Sequence, residues 1–150
     1  MRILTGEEVQ PLLAGIIYAE RQRQKRSFDL TVKVICRLKL PGALDFGGSE
    51  FKPTEVEVQK ERRRNPGDKY GWWELSPGGY MVRFNETLSL PEGYVAMLVP
   101  HERLLRAGGT HPLLFLQTGE VPSEVPLVVP SVGLQIKENA RISTVVVWST

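Results

Sequence analysis

Hydrophobic and polar residues alternate one by one along much of this chain. Tyr80, Val82 and Phe84 fall on one side and Met81, Arg83 and Asn85 on the other, which predicts a half-buried strand. A second strand is predicted over Tyr94, Val95, Ala96, Met97, Leu98 and Val99. Pro91-Glu92-Gly93 lies between the two and supplies the fixed φ and the permissive glycine of a tight turn. These strands are expected to act as a pair that delivers a charged turn after Pro100. His-Glu-Arg-Leu-Leu-Arg-Ala, from His101, suits one helical turn stopped by Gly108 and Gly109. Loops carried on a rigid sheet are where chemistry usually sits.

The same pattern continues on both sides. Ser27 to Leu40 alternates through Leu30, Val32, Val34 and Cys36 and predicts another half-buried strand. Phe51 to Val58 alternates weakly, and Pro112 to Gln117 is a short apolar strand. Val125 to Val129, bounded by Pro126 and Pro130, reads as an edge or broken strand. Val132 to Ile136 and Arg141 to Trp148 complete the set, with a turn at Lys137-Glu138-Asn139-Ala140. The helical period occurs once, over about 5–18, where Val9, Leu12, Leu13, Ile16 and Ile17 form a stripe. Thr5 and Glu8 have capping-box spacing, and Pro11 predicts a kink or a later start. Pro41 to Ser49 and Lys60 to Tyr70 are turn-rich and charged loops; of Trp72 and Trp73, either one packs and the other is exposed, or both fill a subunit contact. Many short strands with little helix predict an all-β sandwich or barrel, the β domain spanning about 27–148.

Composition narrows the setting. The chain has 150 residues, enough for one domain over 1–150 with a real core. The net charge is +2, so local clusters matter more than the total. Cys36 is the only cysteine, which excludes an intramolecular disulfide and reads as a buried inert thiol. No apolar run approaches a membrane span, and the N-terminus lacks a signal-peptide layout, so a cytoplasmic location is expected.

Sharp chemical motifs are missing. No Cys-x-x-Cys, His-Glu-x-x-His, P-loop or nucleophile-elbow spacing occurs, and His101 and His111 meet only if the fold brings them together. Arg21 to Arg26 (RQRQKR) is a solvated loop or a phosphate-facing segment, since guanidinium donors suit phosphate oxygens. Without interleaved aromatics it makes a poor nucleic-acid platform. Asp29, at the entrance of its strand, either bonds nearby amides or helps hold a nucleotide or metal-bound phosphate.

The order of segments carries more. MRILTGEEVQPLL, SFDLTV, LSPGGYMVRFNETLSLPEGYVAMLVP, RLLRAGG and NARISTVVVW together resemble the family of trimeric dUTPases and dCTP deaminases, over most of the chain. The opening helix and FNETLSLPEGY are closer to the deaminase-like, archaeal-type branch. The resemblance implies a distorted jelly-roll (β-clip) fold with a short N-terminal helix. It also implies a homotrimer with sites between subunits, and a deoxynucleoside triphosphate as partner. The reaction implied is hydrolysis of dUTP to dUMP and diphosphate with Mg2+, or deamination of dCTP.

Residue by residue the resemblance is partial. Asp29 in SFDL matches the acid of the family's first motif, which implies an indirect role toward the metal and the attacking water. Arg141 and Ile142 match the final-strand motif, but Thr144 stands where the family has glutamine and Asn139 where it has glycine. After Pro100, His101-Glu102-Arg103-Leu104 replaces Arg-Ser-Ser-Leu, leaving His101, Arg103, Arg106 and Arg141 as the phosphate candidates. Gln117 stands where the family places the acid that activates water, and glutamine cannot take the proton. Glu120 is the candidate replacement. The glycine-rich C-terminal arm of dUTPases has no counterpart before Thr150. Two readings therefore stand side by side: a divergent dUTPase-like hydrolase, and a catalytically degenerate relative that binds a nucleotide or a protein. A nucleic-acid-binding β domain is a third, resting on the two basic runs alone.

Overall fold

One long strand organises the molecule, the 13-residue Phe28–Leu40. The computed structural model describes residues 1–118 and 124–150. In chain order it contains β1 (Arg2–Ile3), α1 (Gly6–Val9), a 3-10 turn (Gln10–Leu12), β2 (Leu13–Ala14), α2 (Ala19–Gln22), β3 (Phe28–Leu40) and β4 (Glu55–Val58). There follow β5 (Trp72–Leu75), β6 (Gly78–Phe84), β7 (Thr87–Leu88), β8 (Tyr94–Pro100) and α3 (Glu102–Arg106). The last elements are β9 (Leu114–Gln117), β10 (Glu124–Val129), β11 (Leu134–Lys137) and β12 (Arg141–Ser149). The expected all-β jelly-roll architecture is what forms. An antiparallel sheet runs β10-β6-β3-β12-β8-β9, with β1 added on β12 and β4 on β3, and two small pairs, β11-β5 and β2-β7, cover it.

The alternation that predicts β6 is borne out: Tyr80, Val82 and Phe84 are all in the core. So is that of β8, where Ala96 and Leu98 are buried. The expectation that these two strands pair is not. β6 lies between β3 and β10, and β8 lies between β12 and β9. The reason sits in the connection, where Thr87–Leu88 leaves to pair with Leu13–Ala14 before the chain turns at Pro91–Gly93. Gly93 takes φ +87 there, a conformation closed to most other residues.

The N-terminal helix is shorter than its stripe suggests. The Thr5–Glu8 capping box forms, but α1 ends at Val9. Pro11 has no amide hydrogen and tightens the next turn to 3-10 geometry, after which Leu13 enters β2. Ile17 consequently lies exposed rather than on the buried face. In β3 the expected face breaks at a bulge between Val32 and Val34. The extra residue transfers the core position to Ile35, and Val34 is left half-buried. Cys36 is buried, as expected for an inert thiol. Of the two tryptophans, Trp73 is in the core and Trp72 is half-buried under the Arg64 guanidinium, 3.7 Å from its ring. Among the described residues no helix is long and apolar enough to cross a membrane.

Candidate active site

The central trio β3-β12-β8 builds a polar cleft at one end of the sheet. β12 sits between its neighbours, so Thr144 lies across from Asp29 on one side and Val99 on the other. Ser143 stands opposite Pro100, where β8 ends and α3 begins. Register therefore gathers segments more than a hundred residues apart in sequence. The cleft encloses about 510 Å³. Asp29, His101, Glu102, Arg103, Arg106 and Arg141 line it, joined by Gln24, Ser27 and Thr144.

Asp29 is the buried floor of this cleft, 2% exposed, and a carboxylate so placed requires donors. Thr144 Oγ1 donates to its Oδ1 at 3.0 Å. Gln24 Nε2 and Arg141 Nη1 each donate to Oδ2 at 3.3 Å. His101 Nε2 is also 3.3 Å from Oδ2. The same histidine caps α3, its Nδ1 accepting the Arg103 amide at 3.0 Å. An accepting Nδ1 places the ring proton on Nε2, so His101 meets Asp29 as a neutral donor. Arg141 is held a second time by the carbonyl of Arg21, at 2.9 Å. The run from Arg21 to Arg26 thus reaches the site chiefly through a backbone oxygen and Gln24, while Arg23 turns away to Gln10.

The arginines of α3 are different. Arg106 pairs with Glu102 at 3.8 Å, both side chains well exposed. The carboxylate that replaces a serine hydroxyl thus has a cation beside it. Gln117 lies elsewhere. It ends β9 opposite Val95, whereas the cleft is built where β8 reaches Pro100. Five residues of extended strand separate the two ends, roughly 17 Å. Glu120 lies outside the described residues. Asn139 takes φ +64, so the position where the resemblance expects glycine still needs the left-handed turn, and asparagine tolerates it.

A second layer supports Asp29 and escaped sequence reasoning. Glu86 is 2% exposed and accepts from the Thr31 amide (2.8 Å), the Thr31 hydroxyl (2.6 Å) and Gln22 Nε2 (2.8 Å). Gln22 Nε2 also donates to the carbonyl of Asp29 at 2.9 Å, and its Oε1 accepts the amides of Ile17 and Tyr18. Burial pushes the Glu86 carboxyl above its usual range, outweighing the bonds from Thr31 and Gln22. A glutamine in a basic run and a glutamate beside an asparagine carry no period that marks them as buried. His111 is buried too, on partners other than those of His101. Its Nδ1 faces the Pro112 carbonyl at 2.9 Å and its Nε2 the Ser143 hydroxyl at 2.8 Å. A carbonyl only accepts, so Nδ1 carries the proton, and burial holds the imidazole below its ordinary pKa.

The donor set has consequences for metal. Among the described residues no cluster of three His, Cys, Asp or Glu side chains is arranged to hold an ion. One buried carboxylate in a cationic cleft fits a magnesium that arrives on a polyphosphate and is held through water, since magnesium keeps several waters and leans on substrate phosphates.

No protein-family model matches the chain. Whole relatives do. The probable deoxyuridine 5′-triphosphate nucleotidohydrolase of Methanosarcina mazei is 33% identical over 151 residues, covering 95% of this chain and 85% of that protein. The protein of the same description from Archaeoglobus fulgidus is 31% identical over 150 residues, covering 95% and 84%. Among solved structures, the 2′-deoxycytidine 5′-triphosphate deaminase of Agrobacterium tumefaciens superposes with a TM-score of 0.67 at 15% identity. That superposition covers 99% of this chain but 48% of the deaminase, so the chain spans about half its length. The fold is thus shared with the deaminase, the sequence with the archaeal nucleotidohydrolases, and this chain belongs to the dUTPase/dCTP deaminase family.

Proposed function

We propose that the cleft over Asp29 takes a deoxynucleoside triphosphate and that the chain is a dUTP diphosphatase-like hydrolase, assembled as a homotrimer. The observation that carries this reading is a single buried carboxylate ringed by Arg141, His101 and Thr144, with Arg103 and Arg106 at the mouth. Such a cleft suits an anionic ligand that brings its own divalent cation. Water would attack the α-phosphorus of dUTP, and the bond from that phosphorus to the bridging oxygen would break, releasing dUMP and diphosphate. Arg103, Arg106 and Arg141 would hold phosphate oxygens. Asp29 would orient magnesium-bound water, and magnesium, when bound, would offset charge on the triphosphate.

The proton of the attacking water needs an acceptor. Asp29 is already met by four donors, and Gln117 has no basic site. Glu120 is the carboxylate assigned this role, and Glu120→Gln tests it. A second reading has an observation of its own: Asp29 and Glu102 are the only carboxylates among the described residues lining the cleft. In that reading the chain binds the nucleotide without turning it over.

Product analysis separates these readings. Purified protein is incubated with dUTP or dCTP, with and without magnesium, and products are resolved by ion exchange. Magnesium-dependent dUMP and diphosphate support the hydrolase. Conversion of dCTP to dUTP with phosphates intact points to deamination instead. Saturable dUTP binding without product supports the second reading, and neither binding nor turnover refutes both.

A further inference from the structure

We infer that the hairpin arm formed by β3, β4 and the segment between them docks its tip into an apolar cleft on a second copy of this chain. The arm is an ordered projection. Ala43 and Lys52 exchange backbone hydrogen bonds at 2.9 and 3.0 Å, and the Asp45 carboxylate accepts the amides of Gly48 and Glu50 at 3.0 and 2.8 Å. What this order presents is apolar. Phe46 is fully exposed, Leu44 is 90% exposed, and Leu40, Phe51 and Val58 are uncovered along the shaft. A tip fixed by its own hydrogen bonds while holding a phenylalanine in water fits a surface that is covered in the assembled protein.

The receiving site is a cleft of about 500 Å³ beside α3, separate from the Asp29 floor. Trp72, Leu104, Leu134, Ile136, Ala140 and Ile142 give it apolar walls. Arg103, Lys137 and Arg141 are its cations. The tip bears the opposite sign, with Asp45 and Glu50 flanking Phe46. Shape class and charge therefore match: an acid-flanked aromatic for a cation-rimmed, tryptophan-lined hole.

The arm cannot serve its own cleft. Val32 donates to the carbonyl of Ala140, which lines the cleft, at 3.0 Å. From Val32 the strand runs on to Leu40, eight residues at about 3.3 Å each, so the tip is carried roughly 26 Å away. The occupant is thus another copy, and the contact is head-to-tail, which closes into a ring when the rotation permits. Arg103 and Arg141 line both clefts, so a docked tip would form a wall of the neighbour's Asp29 cleft. This inference concerns how copies join and stands whether or not the site hydrolyses a nucleotide.

The test uses the whole chain. Ser49→Cys and Ala107→Cys proteins are prepared separately, Ser49 being exposed on the tip, where its replacement leaves Phe46 in place, and Ala107 being exposed on the wall of the apolar cleft. The native Cys36 is buried, and wild type serves as its control. A short bis-maleimide should give a covalent dimer when the two variants are mixed and exchanged, and none in either variant alone. Sedimentation velocity then compares wild type with Leu44→Ser/Phe46→Ser. Loss of one buried phenylalanine contact per copy should raise the dissociation constant about tenfold or more. A mixed cross-link together with weakened association supports the docking. No mixed cross-link, or an association constant unchanged by the double substitution, overturns it. An unchanged oligomer would still leave the trimeric part of the proposed function standing.

Discussion

Glu86→Ala should destabilise the protein severely although the residue touches no solvent and no ligand. The wild-type carboxylate satisfies three donors, the Thr31 amide, the Thr31 hydroxyl and Gln22 Nε2, at 2.6–2.8 Å. Truncation leaves them unequal. The Thr31 hydroxyl can rotate, and it also accepts from Asn85 Nδ2 at 2.9 Å. Gln22 Nε2 keeps its bond to the Asp29 carbonyl but loses a partner for its second hydrogen. The Thr31 amide loses its partner outright. Each orphaned buried donor costs about 1–3 kcal/mol, and the vacated volume adds to that. The expected loss is about 3–5 kcal/mol, against a total of roughly 5–15 kcal/mol for a domain of this kind. Urea unfolding followed by tryptophan fluorescence measures it through the midpoint at constant slope. Glu86→Gln keeps the volume and should cost less, because only the atom turned toward Gln22 presents a donor to a donor. Destabilisation of Glu86→Ala below about 1 kcal/mol would refute the argument that this network holds the start of β3.

Burial raises the Glu86 carboxyl above 4.5, so just above that pH the folded state keeps a proton that the unfolded chain has released. The group's contribution is full below 4.5 and is lost as pH rises through the raised value; wild type should lose stability relative to Glu86→Gln over that window, and a pH-independent difference would contradict it. His111 has the opposite sign: its pKa is depressed from 6.5, so its contribution is full above 6.5 and is lost as pH falls toward the lower folded value. Thermal melts across that range should show the decline, and His111→Asn should flatten it. Asp29→Asn replaces a four-donor acceptor with a group that turns an N–H toward its neighbours, and should weaken dUTP binding about ten- to hundredfold by calorimetry; unchanged affinity would remove Asp29 from the site. Gly93→Ala should cost about 1–2 kcal/mol from its φ of +87 alone, since the nearest atom to an added Cβ is 3.8 Å away. Gly67→Ala, with no neighbour within 4 Å and no positive φ, is the near-neutral control.

What the sequence discloses is mostly what a single segment decides. The Thr5–Glu8 cap, the turn at Pro91–Gly93, the helical turn after Pro100 and the inward face of Tyr80, Val82 and Phe84 are local, and all form. Pairing is not local. Neither the separation of β6 from β8 nor the bulge that substitutes Ile35 for Val34 leaves a mark in the alternation. The site divides the same way. Asp29 and the charged turn from His101 to Arg106 are marked locally as candidates and Arg141 by resemblance, but that they share one cleft is decided by the order β3-β12-β8, which no single segment shows. Gln22 and Glu86 are polar by type and buried by circumstance, and resemblance at the level of motifs passes over them.

The position of β12 in the sheet bears on how the chain is made. β12 hydrogen-bonds to β3 and β8, and its end receives β1, so Arg2 meets Ser149 and Ile3 meets Trp148. The strand that joins the two halves of the sheet is also the last strand of the fold in chain order. Until it is added, β3 and β8 each expose an unpaired edge. Closure of the sheet must therefore wait for β12, and contacts that span nearly the whole sequence place its rate among the slow β topologies, about milliseconds to seconds.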